Sequence, residues 1–138
     1  MNSNKKTARI MVDVRIILSA LWVARMLSGL QGDSTRLHDP VALKELVAGT
    51  TEITVTNEML LVLSIILAVP IFMSFLSLTL PHSPNRWANI IVAIFFLLYT
   101  LIGLGRYPSA YDRFLLFVSL VVNGLTVWYA WKWPKQEV

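Results

Sequence analysis

"MLLVLSIILAVPIFMSFLSLTLPHSPNRWANIIVAIFFLLYTLIGLG", residues 59–105, decides the architecture: Arg86 is its only Asp, Glu, Lys or Arg. Crossing about 30 Å of hydrocarbon at about 1.5 Å per residue takes roughly 20 apolar residues. Met59–Leu80 and Trp87–Gly105 each meet that length, on either side of "PHSPNRWANI". Pro81 and Pro84 stop one helix from continuing, which leaves a short turn before the next. Arg86 marks the cytoplasmic side of that turn, and Trp87 suits the headgroup level. His82 has no neighbouring ligands, so it reads as a solvated loop histidine rather than a metal site.

The same reading extends outward. Phe114–Trp131 is a further run without charge. Residues 10–30 form the first span, although Asp13, Arg15 and Arg25 fall within it. Arg15 can snorkel, and Asp13 follows Arg9 by one helical turn. The basic start and apolar stretch of "MNSNKKTARIMVDVRIILSALWVARMLSGL" resemble a signal peptide, but no small-residue cleavage pattern follows, so the segment is read as retained. The expected fold is an all-α integral membrane protein, one domain over residues 1–138. Its four transmembrane helices, at about 10–30, 58–80, 86–105 and 111–131, form a bundle.

Composition agrees. Hydrophobic residues make up 56% and charged ones 14%, against roughly half and a quarter in soluble domains. The absence of cysteine excludes disulfides, thiol catalysis and thiolate metal sites. The net charge of +4 comes from basic residues near the ends of apolar runs, a membrane pattern rather than a nucleic-acid patch. With the N-terminus inside, Lys5, Lys6, Arg9, Arg86, Lys132 and Lys135 face the cytoplasm, while Arg36, Lys44, Arg106 and Arg113 lie outside. That bias places both termini in the cytoplasm. Trp87, Trp128, Trp131 and Trp133 then gather at the inner interface, and Tyr107 and Tyr111 at the outer one.

The outer loop, residues 31–57, contains "DPVALKELVAG". Asp39 can cap a helix, Pro40 suits its first position, and Gly49 can end it. A short amphipathic helix over residues 40–48 is expected in the outer loop, lying in the interface or over the bundle mouth. "TTEITVTNE" alternates like a short extended segment, and Asn57 can cap the second span.

With "NRWANI", "WYAWKW" and "DPVALKELVAGT…ITVT" in place, the chain resembles an uncharacterised family of small four-span bacterial membrane proteins. The resemblance runs from about residue 20 onward. Its motifs are a D-P-x-x-L-K helix, a G-T/I-T segment, an N-R-W-A-N-I turn and a W-Y-A-W-K-W ending. It implies four spans in the bacterial cytoplasmic (inner) membrane and carries over no reaction, cofactor or catalytic residue.

Helical spacing predicts which faces point inward. Asn89, Ala93, Phe96, Thr100 and Gly103 share a face of the third span, and Ser119, Asn123, Thr126 and Ala130 a face of the fourth. Ala20, Ala24 and Ser28 form a small-residue face on the first. Pro70 leaves the carbonyl of Ile66 without its usual donor. Arg25 lies roughly 7 Å outward of the midplane at about 1.5 Å per residue, with Ser64, Tyr99 and Thr100 at similar depth. A cation there needs a partner or a ligand. Glu58 and Asp112 are the ion-pair candidates; Arg25, Ser64, Tyr99, Thr100 and Asn123 are the candidate ligand-binding set.

Two functions follow from different classes. One is binding or transport of a small amphipathic or lipid-like ligand in an outward-opening cavity. The other is an accessory or structural subunit packed against another membrane protein complex, with homo-oligomerisation open in either case. A small multidrug exporter fits size and span number, but Asp13 sits near the cytoplasmic edge and the outer loop is long. Enzymatic activity is the least expected class, since no ligand cluster, nucleophile elbow or phosphate loop is present. No cofactor, metal or nucleic-acid partner is expected. His38 and His82 fall on opposite membrane sides, so they cannot jointly hold a haem.

Overall fold

The computed structural model describes residues 12–134. Five helices follow in order: α1 (Val14–Leu37), α2 (Pro40–Ala48), α3 (Asn57–Thr79), α4 (His82–Leu104) and α5 (Ala110–Lys132). No strand occurs among the described residues. The expected start of the first span at residue 10, the Arg9–Asp13 pairing and the charges of Lys5, Lys6, Arg9 and Lys135 lie outside them.

α1 begins where the Asp13 carboxylate accepts the Arg15 N–H at 3.0 Å. It ends at Leu37 rather than 30, because no residue in "QGDSTRL" breaks it. Proline does: Asp39, which precedes Pro40, is forced into an extended conformation (φ −81°, ψ 113°). The same Asp39 then caps α2, accepting from Val41 N at 3.0 Å and Ala42 N at 3.4 Å. Gly49 ends α2 in the left-handed region (φ 66°), where a β-carbon would be strained. No residue of α2 is buried.

α3 is capped by Thr56, whose hydroxyl accepts from Met59 N at 3.2 Å, not by Asn57, which is the first helical residue. The segment before it bends and pairs with nothing to make a strand. α4 starts at His82, so most of "PHSPNRWANI" is helix rather than turn. Pro84 is tolerated there because first-turn N–H groups have no intrahelical acceptor. The turn itself is Leu80–Pro81, and Asn85 ties it down: its Nδ2 donates to Ser77 O (2.8 Å) and Leu80 O (3.1 Å), the end of α3. Arg86 does the same for α5, with Nε 3.2 Å from Ala130 O and Nη2 3.0 Å from Trp131 O. A cation at a helix C-terminus also opposes the helix dipole.

α1 packs along both α3 and α5, and α4 along α5, whereas α3 and α4 approach each other over only a few residues. Trp22, Met73, Ala93 and Phe96 fill the middle of the bundle, and Leu18, Ile90, Ala130 and Trp133 the end near the α3–α4 turn. The faces expected on α4 and α5 are buried at Asn89, Ala93, Phe96 and Thr100, and at Ser119, Asn123, Thr126 and Ala130. α1 differs: Ala20 is exposed and Ala24 half-buried, while Leu18, Trp22, Arg25 and Ser28 turn inward. Large side chains are needed there, because α1 fills the interior that α3 and α4 leave between them.

Outside, the long helices are apolar, with Phe72, Phe75, Ile91, Ile102 and Phe114 all largely exposed. Four helices are long and apolar enough to cross a membrane.

Candidate functional site

The interior polar groups form two levels. Nearer the α3–α4 turn, Trp22 Nε1 donates to Asn89 Oδ1 at 2.6 Å. Asn89 Nδ2 in turn reaches Asn85 O (2.8 Å) and Oδ1 (2.7 Å). Ser77 Oγ lies 2.7 Å from Met73 O and 3.1 Å from Asn89 Oδ1, so its single proton serves one of them at a time. This network joins α1, α3 and α4 and satisfies its members.

The second level is set by the antiparallel register of α1 and α5. Arg36 Nη2 meets Asp112 Oδ1 at 2.8 Å, Ser28 Oγ meets Ser119 Oγ at 2.8 Å, and the Arg15 guanidinium lies over the Trp133 ring. Each step back along α1 thus matches a similar step forward along α5. Arg25 precedes Ser28 by one helical turn, and Asn123 follows Ser119 by one, so the two stand at the same height. Both are buried, Arg25 at 6% and Asn123 at 1% exposure. Arg25 Nε and both polar atoms of the Asn123 amide have no hydrogen-bond partner among the described residues.

Phe96 supplies a floor, its ring centroid 5.1 Å from the Arg25 guanidinium carbon. A desolvated cation–π contact contributes about 2 kcal/mol, less than the several kcal/mol that burying an ion costs. Gly29 leaves room beside Nη1, which would lie 3.4 Å from a β-carbon at that position.

The remaining expected residues divide. Thr100 is buried, but its hydroxyl donates to Phe96 O at 2.7 Å. Tyr99 is 43% exposed at the edge of the site. Ser64 is exposed and donates to Leu60 O at 2.8 Å, away from the interior. Glu58 is exposed and forms no ion pair among the described residues. Asp112 does form one, with Arg36 rather than Arg25, because the longer α1 carries Arg36 to its level. Arg36 and Trp22 were not expected here. Arg36 lies beyond the apolar run, and Trp22 looks like any other apolar residue until its N–H is matched to Asn89.

At the other end of α1, Tyr111 Oη donates to Asp39 Oδ2 at 2.9 Å. That bond, then the Val41 N–H bond, holds the Asp39 carboxyl below the usual aspartate range. α2 is thereby tethered to the start of α5. Its outward face, with Pro40, Val41, Lys44, Glu45, Ala48 and Thr50, borders an open depression of about 610 Å³. No group of three or more His, Cys, Asp or Glu that could hold a metal occurs among the described residues. His38 Nδ1 contacts Ser34 O at 2.7 Å, and His82 stacks edge-on against Trp133 with centroids 4.7 Å apart, at opposite ends of the bundle.

The chain belongs to a family of unknown function (DUF6326), whose profile matches residues 9–138. No curated protein and no solved structure matches it.

Proposed function

We propose that this member of the family is a four-span protein of the bacterial cytoplasmic membrane that binds a small amphipathic or lipid-like ligand at Arg25. The apolar outer faces and four long helices support insertion. Both termini face the cytoplasm, on the side rich in Lys and Arg. Exposed Trp87, Trp128 and Trp131 form a belt there, two of them under Arg86 and one under Lys132. α2 lies at the outer interface, tethered through Asp39.

One observation carries the ligand reading: Arg25 and Asn123 stand at one level of the bundle with buried polar atoms that no described residue satisfies. Intramembrane ionisable groups are costly and tend to mark ligand or ion sites. An unpaired buried amide costs about 1–3 kcal/mol, so keeping both groups unpaired needs a compensating contact. A bound polar headgroup provides one.

Native mass spectrometry of gently extracted protein tests this. The wild type is expected to retain a small molecule that both Arg25→Gln and Asn123→Ala lose while remaining folded. Bare protein in all three refutes the reading. A protein partner retained equally by all three favours an accessory subunit instead.

A further inference from the structure

We infer that the ligand of this site is an acidic amphiphile, a long-chain carboxylate, which reaches Arg25 from the lipid side through the seam between α3 and α4. The inference rests on the ligand reading above and names its chemistry.

Charge comes first. Asp112 is committed to Arg36, Glu58 is exposed and unpaired among the described residues, and Asp13 is bound to the first turn of α1. Asp33, Asp39, Glu45 and Glu52 lie at or beyond the far end of α1. Among the described residues, Arg25 therefore has no carboxylate against it, and a buried cation is stabilised by an anion.

Geometry narrows the anion. A guanidinium presents a flat fork of N–H donors that matches the two oxygens of a carboxylate, and the Asn123 amide adds further donors at the same level. A phosphate monoester carries more than one negative charge at neutral pH, against a single cation here. One carboxylate balances one arginine.

The route follows from packing. Asn85 and Asn89 bind α3 and α4 together at their turn, yet elsewhere the two helices approach closely over few residues. Ile66 and Val69 of α3 and Val92 of α4 are half-buried against the Trp22–Phe96 cluster. Phe95 and Tyr99 are about half exposed beside them, with the Phe95 ring edge-on to Phe96. These apolar side chains cover the ring over which the Arg25 guanidinium lies, and the inferred route passes between them, with the hydrocarbon tail in the seam and the headgroup inward.

The test is equilibrium binding to the purified full chain, followed by native mass spectrometry. The probes are a saturated long-chain carboxylate, the alcohol of the same chain and the corresponding alkyl phosphate. The carboxylate is expected to bind at least about tenfold tighter than either, and Arg25→Gln to erase that preference. Val92→Trp is expected to weaken carboxylate binding, while Ile91→Trp on the exposed face leaves it unchanged. Thermal melting of each variant separates lost binding from lost fold, and Asn123→Ala serves if Arg25→Gln does not fold. Equal binding of the alcohol, or preference for the phosphate, overturns the carboxylate assignment and leaves an amphiphile site standing. An unaffected Val92→Trp overturns the route. Binding of no probe, with no molecule retained from native membranes, overturns both this inference and the function on which it rests.

Discussion

Arg36 Nη2 lies 2.8 Å from Asp112 Oδ1, and this pairing commits Asp112 to the last turn of α1, leaving Arg25 without it. Asp112 is 7% exposed and Arg36 35%. Removing one partner from a fully buried pair costs about 3–5 kcal/mol. With Arg36 a third exposed, Arg36→Gln is expected to cost about 1–3 kcal/mol. The double variant Arg36→Gln/Asp112→Asn should lose less than the sum of the singles. Thermal unfolding in one detergent checks this, and unchanged melting of both singles would show that the pair contributes nothing.

Asn89 is the centre of the other polar level. Replacing it by Leu strands the Trp22 N–H and the Asn85 side-chain oxygen, two buried groups each worth about 1–3 kcal/mol when unsatisfied. Trp22→Phe removes the donor and part of the indole volume, but it keeps an aromatic ring against Phe96 and leaves Asn89 Oδ1 within reach of Ser77 Oγ, so a smaller loss, about 1–2 kcal/mol, is expected. Melting curves of the two variants should rank in that order. The reverse order would mean that the ring volume of Trp22, and not its N–H, holds α1 to α4.

These two contacts also show what was legible from residue order. The inward faces of α4 and α5 follow from spacing alone, because Asn89, Thr100, Ser119, Asn123 and Thr126 recur at helical steps amid apolar residues. α1 resists that reading. Of its expected small-residue face only Ser28 is buried; Ala20 and Ala24 point outward or sideways, since the gap between α3 and α4 calls for bulk, which Trp22 and Arg25 provide. Its true end is hidden as well: the polar "QGDSTR" looks like loop, yet nothing stops the helix before Pro40. Arg25 was visible as a costly residue. That Asn123 stands at its level requires the Ser28–Ser119 and Arg36–Asp112 contacts, which no spacing within one helix reveals.

Acid should loosen α2. The Asp39 carboxyl is held below its ordinary range by the Tyr111 hydroxyl and by the first N–H groups of α2. A folded value below the unfolded one means that the contribution is present above the unfolded aspartate range. It is lost as pH falls through the folded value. Protection of α2 amides from hydrogen exchange should therefore hold at neutral pH and fall only in strong acid. Tyr111→Phe should move that loss to higher pH, and an unmoved midpoint would show that the Tyr111 bond is not made in the membrane.

Topology is open to direct labelling, since the chain has no cysteine. Ser83→Cys, on the α3–α4 turn side, should resist an impermeant thiol reagent in intact cells and react after lysis. Val47→Cys, on α2 and 81% exposed, should react in intact cells. Labelling of Ser83→Cys before lysis would invert the orientation.

The central claim is that Arg25 and Asn123 act as one ligand site. The most direct measurement is a double-mutant cycle on the amount of ligand retained from native membranes, read by native mass spectrometry in wild type, Arg25→Gln, Asn123→Ala and the double variant. One shared headgroup gives strong non-additivity, with the double variant losing little more than the worse single. Independent, additive losses, or full retention in either single, would contradict it.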